Sequence, residues 1–158
     1  MEKDLEYRQR IIAEYKEAVM PLLRYLPWLE QHAGKSVSST YQGDNLGEGT
    51  LKFPVYDGTL MNFVREASKS SLMEKNYQYV FTRNRLKTHE DERKAITKAG
   101  WREWDLLKGI LSKYVLGGRV KGTLWNEAMR EEIFYLILKQ MKEIIEYWDQ
   151  PIYVQGNV

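Results

Sequence analysis

The chain has 158 residues, a length typical of one domain, and 43% of them are hydrophobic and 29% charged. It contains no cysteine, which excludes disulfides, thiol nucleophiles and cysteine-based zinc sites. The formal net charge of +2 conceals a basic middle, residues 76–122, and an acidic end, residues 123–158, which either polarise the surface or neutralise each other.

The N-terminal residues predict helix from about Asp4 to near His32. Apolar side chains recur there at helical spacing; they are Leu5, Ile11, Ile12, Tyr15, Ala18, Val19, Leu22, Leu23 and Leu26. Pro21 is expected to kink or restart the helix, because proline removes a backbone donor. Pro27 suits the start of a last short turn, and Gly34 suits its end. The prediction is one long bent helix or two abutting helices.

Residues 36–56 predict a small β-hairpin. Two short segments, SVSSTYQ and TLKFPVY, place β-branched and aromatic residues at alternate positions, and the glycine-rich segment GDNLGEG joins them. Pro54 would then lie on an edge or at a strand end. The alternative is an ordered loop packed by Tyr41, Phe53 and Tyr56.

The next forty or so residues predict one helix and one irregular segment. Asp57 can cap a helix whose buried face contains Leu60, Phe63 and Val64 and which ends in SKSS, residues 68–71. In residues 76–87 the aromatic residues alternate as in a strand, but no partner strand is near in sequence. We therefore expect residues 76–87 to be extended or irregular.

Three helical segments follow in the second half of the chain. Thr88 and Asp91 have capping-box spacing at the start of a helix that stops by Gly100. A second helix is predicted from about Arg102 to Val115. Thr123 is expected to cap a final helix that runs to about Trp148. Residues 133–138, IFYLIL, are apolar throughout, so this last helix should be central and buried.

Together these patterns predict an all-α fold in a single domain over residues 1–158, with about five helices around the C-terminal helix and a small β-hairpin near 36–56. The first residues, MEKDLEYRQR, lack the apolar core of a signal peptide, and no apolar run approaches a membrane span in length. We therefore expect a cytoplasmic protein that does not contact a membrane.

The C-terminal segment LSKYVLGGRVKGTLWNEAMREEIFYLILKQMKEI resembles a family of small bacterial proteins classed only as a domain of unknown function. The shared pattern is an apolar helix (110–115), a basic loop (118–121), Gly122, an apolar-aromatic run (133–138) and a Leu/Met-rich tail (141–145). The segment FPVYDGTLMNFVREA is similar as well. The resemblance implies a helical fold and a bacterial source but no catalytic residue or ligand. Glu132 departs from it, since a glycine is expected before the apolar run.

The loop VLGGRVKGT is a candidate anion-binding site. Backbone N–H groups of a glycine-rich turn before a helix N-terminus can hold an anion, provided that Gly117 or Gly118 has positive φ. Arg119 and Lys121 would add charge, while Gly122 and Thr123 would add donors. The spacing is not that of a P-loop, and a helix precedes the loop instead of a strand. A tight interhelical turn is the more economical interpretation.

The segment RNRLK is a candidate nucleic-acid contact through Arg83, Arg85 and Lys87. Tyr77, Tyr79 and Phe81 precede it, and binders of single-stranded nucleic acid combine such bases with aromatic rings. Buried aromatic and solvated charged residues would give the same pattern, and no known nucleic-acid motif frames the segment.

The acidic residues give little reason to predict metal or catalytic chemistry. His89, Glu90, Asp91 and Glu92 are adjacent, so they point in different directions on a helix, and acids are favoured at a helix N-terminus. Glu127 and Glu131 are one helical turn apart, where they could pair across an interface or serve in acid–base chemistry. We predict no metal and no cofactor.

Two functions of different class remain. The first is a non-enzymatic interaction or regulatory module, which could act as a homodimer. Trp28, Trp101 and Trp125 would contribute to its interaction surface if they were exposed. The second is nucleic-acid binding through the basic segment 76–122. An enzyme has no support in the sequence, and the sequence names no partner.

Overall fold

The structure is a computed structural model that describes residues 2–35, 38–41 and 53–148. These residues form eight α-helices, one 3-10 turn and two short strands, whereas about five helices were predicted. The bounds are α1 Glu2–Leu23, α2 Leu26–His32, β1 Ser38–Tyr41, β2 Phe53–Tyr56, α3 Gly58–Lys69, α4 Tyr77–Arg83, α5 His89–Lys98, the 3-10 turn Trp101–Glu103, α6 Trp104–Gly117, α7 Thr123–Arg130 and α8 Ile133–Trp148.

The predicted N-terminal helix is two helices. Pro21 lies inside α1, which continues to Leu23. The helical conformation is interrupted at residues 24–25. Pro27 lies in the first turn of α2, where its missing N–H would have had no helical acceptor. Gly34 has φ +82° just after α2, so the prediction that this glycine ends the helix is confirmed.

The region of the predicted hairpin contains β1 and β2, which pair antiparallel. The register runs from Ser38 opposite Tyr56 to Tyr41 opposite Phe53, and Pro54 lies opposite Thr40. The connecting residues 42–52, the residues 36 and 37, and the side chains of both strands lie outside the described part of the chain. These two strands are a small addition to a fold that is otherwise helical.

Helix α4 contradicts the prediction of an extended or irregular segment. The alternation of Tyr77, Tyr79 and Phe81 suggested a strand, but Tyr77, Val80 and Phe81 are the half-buried residues of this helix, and their spacing is i, i+3, i+4. Tyr79 is 61% exposed. Helix α4 packs on α6, and that contact selects the helical conformation.

Helices α6 and α8 share the centre of the fold. Helix α6 contacts α3, α4, α5 and α7 as well as α8, while α8 also contacts α1, α2, α5 and α7. In the run of residues 133–138, Tyr135 and Leu136 are only half-buried, so one side of α8 reaches the surface. The final helix is thus central as predicted, but α6 occupies the centre with it.

The predicted final helix breaks in two at Glu131 and Glu132. Glu132 has φ +67°, in the left-handed region where an L-residue costs about 1–2 kcal/mol and glycine costs little. The N–H of Glu132 donates to the carbonyl of Met129 at 3.1 Å, as in the usual glycine-terminated helix end. A glycine is therefore expected at this position on structural grounds, as the family resemblance implied.

Within residues 2–35, 38–41 and 53–148, no helix combines the length and the apolar character needed to cross a membrane.

Candidate functional site

The exposed side of α4 and the turn after it form a continuous basic surface. The sequence contains no Asp or Glu from Asn76 to His89. Arg83, Arg85 and Lys87 are all exposed, and the Tyr79 ring lies one helical turn before Arg83. We call Tyr79, Arg83, Arg85 and Lys87 the α4 surface. The three bases that the sequence predicted as nucleic-acid contacts are thus all exposed on this surface.

The charges of the α4 surface are not neutralised from within the described part of the chain. Elsewhere Arg24 lies 2.5 Å from Glu66 and Arg93 lies 2.8 Å from Glu131. Among the described residues, by contrast, Arg83, Arg85 and Lys87 form no ion pair with a carboxylate.

Asp91 lies four residues after Lys87, and its carboxylate binds backbone N–H groups. Its Oδ2 accepts hydrogen bonds from the N–H groups of Lys87 at 3.0 Å and Thr88 at 3.1 Å. Thr88 in turn accepts from the N–H of Asp91, which confirms the predicted capping box. The two backbone donors lower the pKa of Asp91, because they stabilise its charged form. Its orientation fixes the start of α5 next to the basic turn.

A groove of about 430 Å³ lies between α4 and the start of α6. Tyr79 and Arg83 line one wall, and Arg102 and Asp105 line the other. Two further acids of the lining, Glu74 and Glu103, accept backbone N–H groups at 2.9 and 3.0 Å. Sequence reasoning missed Arg102, which is separated from Arg83 along the chain and reaches the groove only because α4 packs on α6.

Arg85 ends α4 in a left-handed backbone conformation. Its φ is +55°, its N–H donates to the Thr82 carbonyl at 3.2 Å, and the N–H of Leu86 donates to the Phe81 carbonyl at 2.9 Å. This pair of bonds is the Schellman arrangement, in which glycine is the usual residue at the left-handed position. Leu86 is half-buried against the core, so the turn is anchored on both sides of Arg85.

A buried polar cluster joins α5 to α6. Glu92 is 3% exposed and Tyr114 is fully buried. The Tyr114 hydroxyl donates to Glu92 Oε1 at 2.5 Å and lies 3.2 Å from His89 Nδ1, while Lys113 Nζ lies 3.7 Å from Glu92 Oε2. Burial and the neighbouring Glu92 carboxylate raise the pKa of Tyr114, so this phenol keeps its proton.

The same cluster extends to α7. His89 Nε2 lies 2.7 Å from Glu127 Oε1, and Arg93 donates to Glu131. The two glutamates thus pair with α5 of their own chain. Nothing local in the sequence relates His89 to Glu127. In the part of the chain that the structure describes, no group of three or more His, Asp or Glu side chains could hold a metal ion. The cluster connects α5, α6 and α7.

The Arg93–Glu131 pair predicts a pH dependence of stability. The hydrogen bond from Arg93 is the main cause that lowers the pKa of Glu131. A lowered folded-state pKa stabilises the fold above the unfolded value of about 4.3, and this contribution is lost as the pH falls through the folded value. Arg93→Gln should therefore lose stability near neutral pH, and its deficit should shrink as the pH falls from about 5 to 3. Melting temperatures over this range test it; parallel curves for both proteins would contradict it.

The 117–123 loop does not have the geometry that the anion-site prediction requires. Gly118 has φ −66° and Gly117 belongs to α6, so neither has positive φ. The N–H groups of residues 118–121 donate to backbone carbonyls of residues 114–117. Gly122 is the N-cap of α7 and Thr123 is its first residue, so the prediction that Thr123 caps the helix is wrong. An anion here would rely on Arg119 and Lys121, which are exposed.

Gly118 is explained by packing instead. A Cβ at this position would lie 2.1 Å from Nε1 of Trp125, and this Nε1 donates to the Val115 carbonyl at 3.2 Å. The close approach of the indole ring to the backbone requires a residue without a side chain. The absence of a side chain at Gly118 therefore allows α7 to pack against the C-terminal end of α6.

The three tryptophans expected to serve an interaction surface are half-buried. Trp28 stacks on His32 at 4.3 Å, and Trp101 meets the edge of Tyr7 at 6.5 Å between ring centroids. Trp125 packs on Gly118. These rings are engaged within the chain, so they do not favour an interaction surface.

Comparison with known proteins gives one match. The profile described as a family of unknown function (DUF6508) matches residues 15–147. No curated protein and no solved structure matches the chain. The resemblance seen in the sequence, to a family without an assigned function, is thereby confirmed, and it brings no ligand or catalytic residue with it.

Proposed function

The chain belongs to the DUF6508 family, whose function is unknown, and we propose that it is a non-enzymatic interaction module that binds an anionic partner through the α4 surface. The observation that carries this proposal is the set of three neighbouring exposed cations, Arg83, Arg85 and Lys87, that have no carboxylate partner within the described residues. We also propose that the protein is bacterial and that it is located in the cytoplasm.

Single-stranded nucleic acid is the partner that the α4 surface suits best. Phosphates would meet the cations, and the 61% exposed ring of Tyr79 offers a face on which a base can stack. Arg102 lies across the adjoining groove from Arg83, but three acids, Glu74, Glu103 and Asp105, line the same groove. The cationic path is therefore confined to the α4 surface. An acidic protein would use the cations but would have no special use for the ring.

Self-association is a second candidate, because an apolar groove lies between α1 and α8. Its volume is about 370 Å³, and Met20, Leu23 and Ile145 form its apolar lining. Met20 is 50% exposed, and a second copy of the chain could cover it. Light scattering over a range of concentrations tests this candidate: a mass that stays that of one chain throughout would remove it.

The binding proposal predicts salt-dependent affinity for a labelled oligothymidylate of about 20 nucleotides. The logarithm of the binding constant should fall linearly with the logarithm of salt concentration, with a slope of about −0.7 for each phosphate contact. Replacing Arg83, Arg85 and Lys87 together by Ala should abolish binding at physiological salt. Replacing Lys69, Lys98 and Lys139, which are exposed on α3, α5 and α8, removes the same charge elsewhere and should leave most of the affinity.

The outcomes separate the alternatives. Absence of binding at low salt would overturn the nucleic-acid proposal. Equal loss in both triple variants would attribute binding to overall charge and not to the α4 surface. If polyglutamate binds as tightly as the oligothymidylate, the partner is an acidic protein and not a nucleic acid. A Tyr79→Ala variant with the affinity of the wild type would contradict the stacking role of the ring.

A further inference from the structure

We infer that Arg85 is a specific phosphate-contacting residue, and that its side chain serves binding at a backbone position that favours glycine. The inference rests on the proposed function and deepens it, since it assigns a role to one residue of the α4 surface. The first observation is conformational: Arg85 has φ +55°, and side chains other than glycine are disfavoured there.

The turn imposes this conformation whatever residue occupies position 85. The hydrogen bonds from Arg85 N–H to Thr82 and from Leu86 N–H to Phe81 close the end of α4. Leu86 then packs against the core, and the capping box at Thr88 starts α5 directly afterwards. The chain therefore has no room to relax at Arg85, and glycine would fit the turn with less strain.

Within the described part of the chain, the Arg85 side chain has no polar partner that would explain its presence. It is exposed, and within the described residues its guanidinium makes no hydrogen bond, ion pair or ring contact. A guanidinium presents a planar fork of donors that matches a phosphate group. Arg83 and Lys87 flank it in the acid-free stretch 76–89, so a phosphate at Arg85 would lie near two further positive charges.

Glu132 is an internal reference for this inference. It occupies the same position after α7, with φ +67°, and it is exposed. Glycine at either position should relax the backbone by a similar amount. Only the change at Arg85 removes a cation from the α4 surface, whereas the change at Glu132 removes an anion and cannot weaken attraction to phosphates by loss of charge.

Three single variants test the inference, with melting temperature and oligothymidylate affinity measured for each over a range of salt. Arg85→Gly should raise Tm by about 2–4 °C, weaken binding by about three- to tenfold at low salt and make the salt slope shallower by about 0.7. Glu132→Gly should raise Tm similarly and leave both affinity and slope unchanged. Arg85→Lys should keep the wild-type Tm and slope but bind less tightly, because lysine lacks the fork.

Several results would overturn the inference. If Arg85→Gly keeps the affinity and slope of the wild type, Arg85 does not contact phosphate. If Arg85→Gly fails to raise Tm while Glu132→Gly does, position 85 is not strained and the conformational argument for the inference fails. A wild type that does not bind at low salt overturns the proposed function and this inference together, whereas a binding wild type with an unaffected Arg85→Gly overturns this inference alone.

Discussion

Gly109→Ala is expected to destabilise the protein by about 1–3 kcal/mol, even though alanine is the better helix former by about 1 kcal/mol. Gly109 lies in α6 where α4 crosses it. A Cβ at this position would lie 2.6 Å from Cγ1 and 2.7 Å from Cβ of Val80. Rotation of the Val80 side chain moves its Cγ atoms but not its Cβ, so the collision can be relieved only if α4 moves away from α6.

Urea unfolding of the wild type and the variant measures this effect. Gly58→Ala is the matched control, because Gly58 begins α3 and a Cβ there would meet nothing within 4 Å; it should be as stable as the wild type or more stable. Val80→Ala should not rescue Gly109→Ala, since it keeps the colliding Cβ. Because α4 carries Tyr79 and Arg83, Gly109→Ala should also weaken oligothymidylate binding. A Gly109→Ala protein with wild-type stability would contradict the close α4–α6 contact.

Glu92→Ala should destabilise the protein by about 2–4 kcal/mol. The change removes the acceptor of the buried Tyr114 hydroxyl and the carboxylate that lies 3.7 Å from Lys113 Nζ. A buried polar group left without its partner loses the hydrogen bonds that it would have made to water in the unfolded chain. His89 Nδ1, 3.2 Å from the hydroxyl, can accept from it in part, which keeps the loss below that of a fully isolated group.

A double-mutant cycle tests this interpretation. Glu92→Leu and Tyr114→Phe should each destabilise the fold, and the double variant should lose less than the sum of the two, because it leaves neither polar partner of the Tyr114–Glu92 hydrogen bond in the core. Glu90→Ala is the control on the same helix: its carboxylate is exposed and lies 3.2 Å from Lys94, and its removal should cost less than about 0.5 kcal/mol. Additive losses in the cycle would mean that Glu92 and Tyr114 act independently.

Features that depend only on neighbouring residues could be predicted from the sequence. Asp57 accepts the N–H of Thr59 at 2.7 Å and caps α3, the Thr88–Asp91 box starts α5, and Gly34 takes positive φ after α2. Each of these features depends on only a few consecutive residues, so the local sequence is sufficient to predict it. The apolar periodicity of α1, α3 and α6 likewise predicted helices within a few residues of their observed bounds. The three bases of the α4 surface were also recognised from sequence alone.

The packing of these helices against one another could not be predicted from the sequence. In the sequence of α4 the aromatic residues alternate as in a strand. Its helical conformation follows from its packing against Gly109 of α6. The pairing of His89 with Glu127 and the burial of Tyr114 beside Glu92 join residues far apart in sequence. The requirement for glycine at 118 comes from the ring of Trp125. Contacts of this kind depend on the relative placement of whole helices, which is set by the burial of the shared core and leaves no local signal in the sequence.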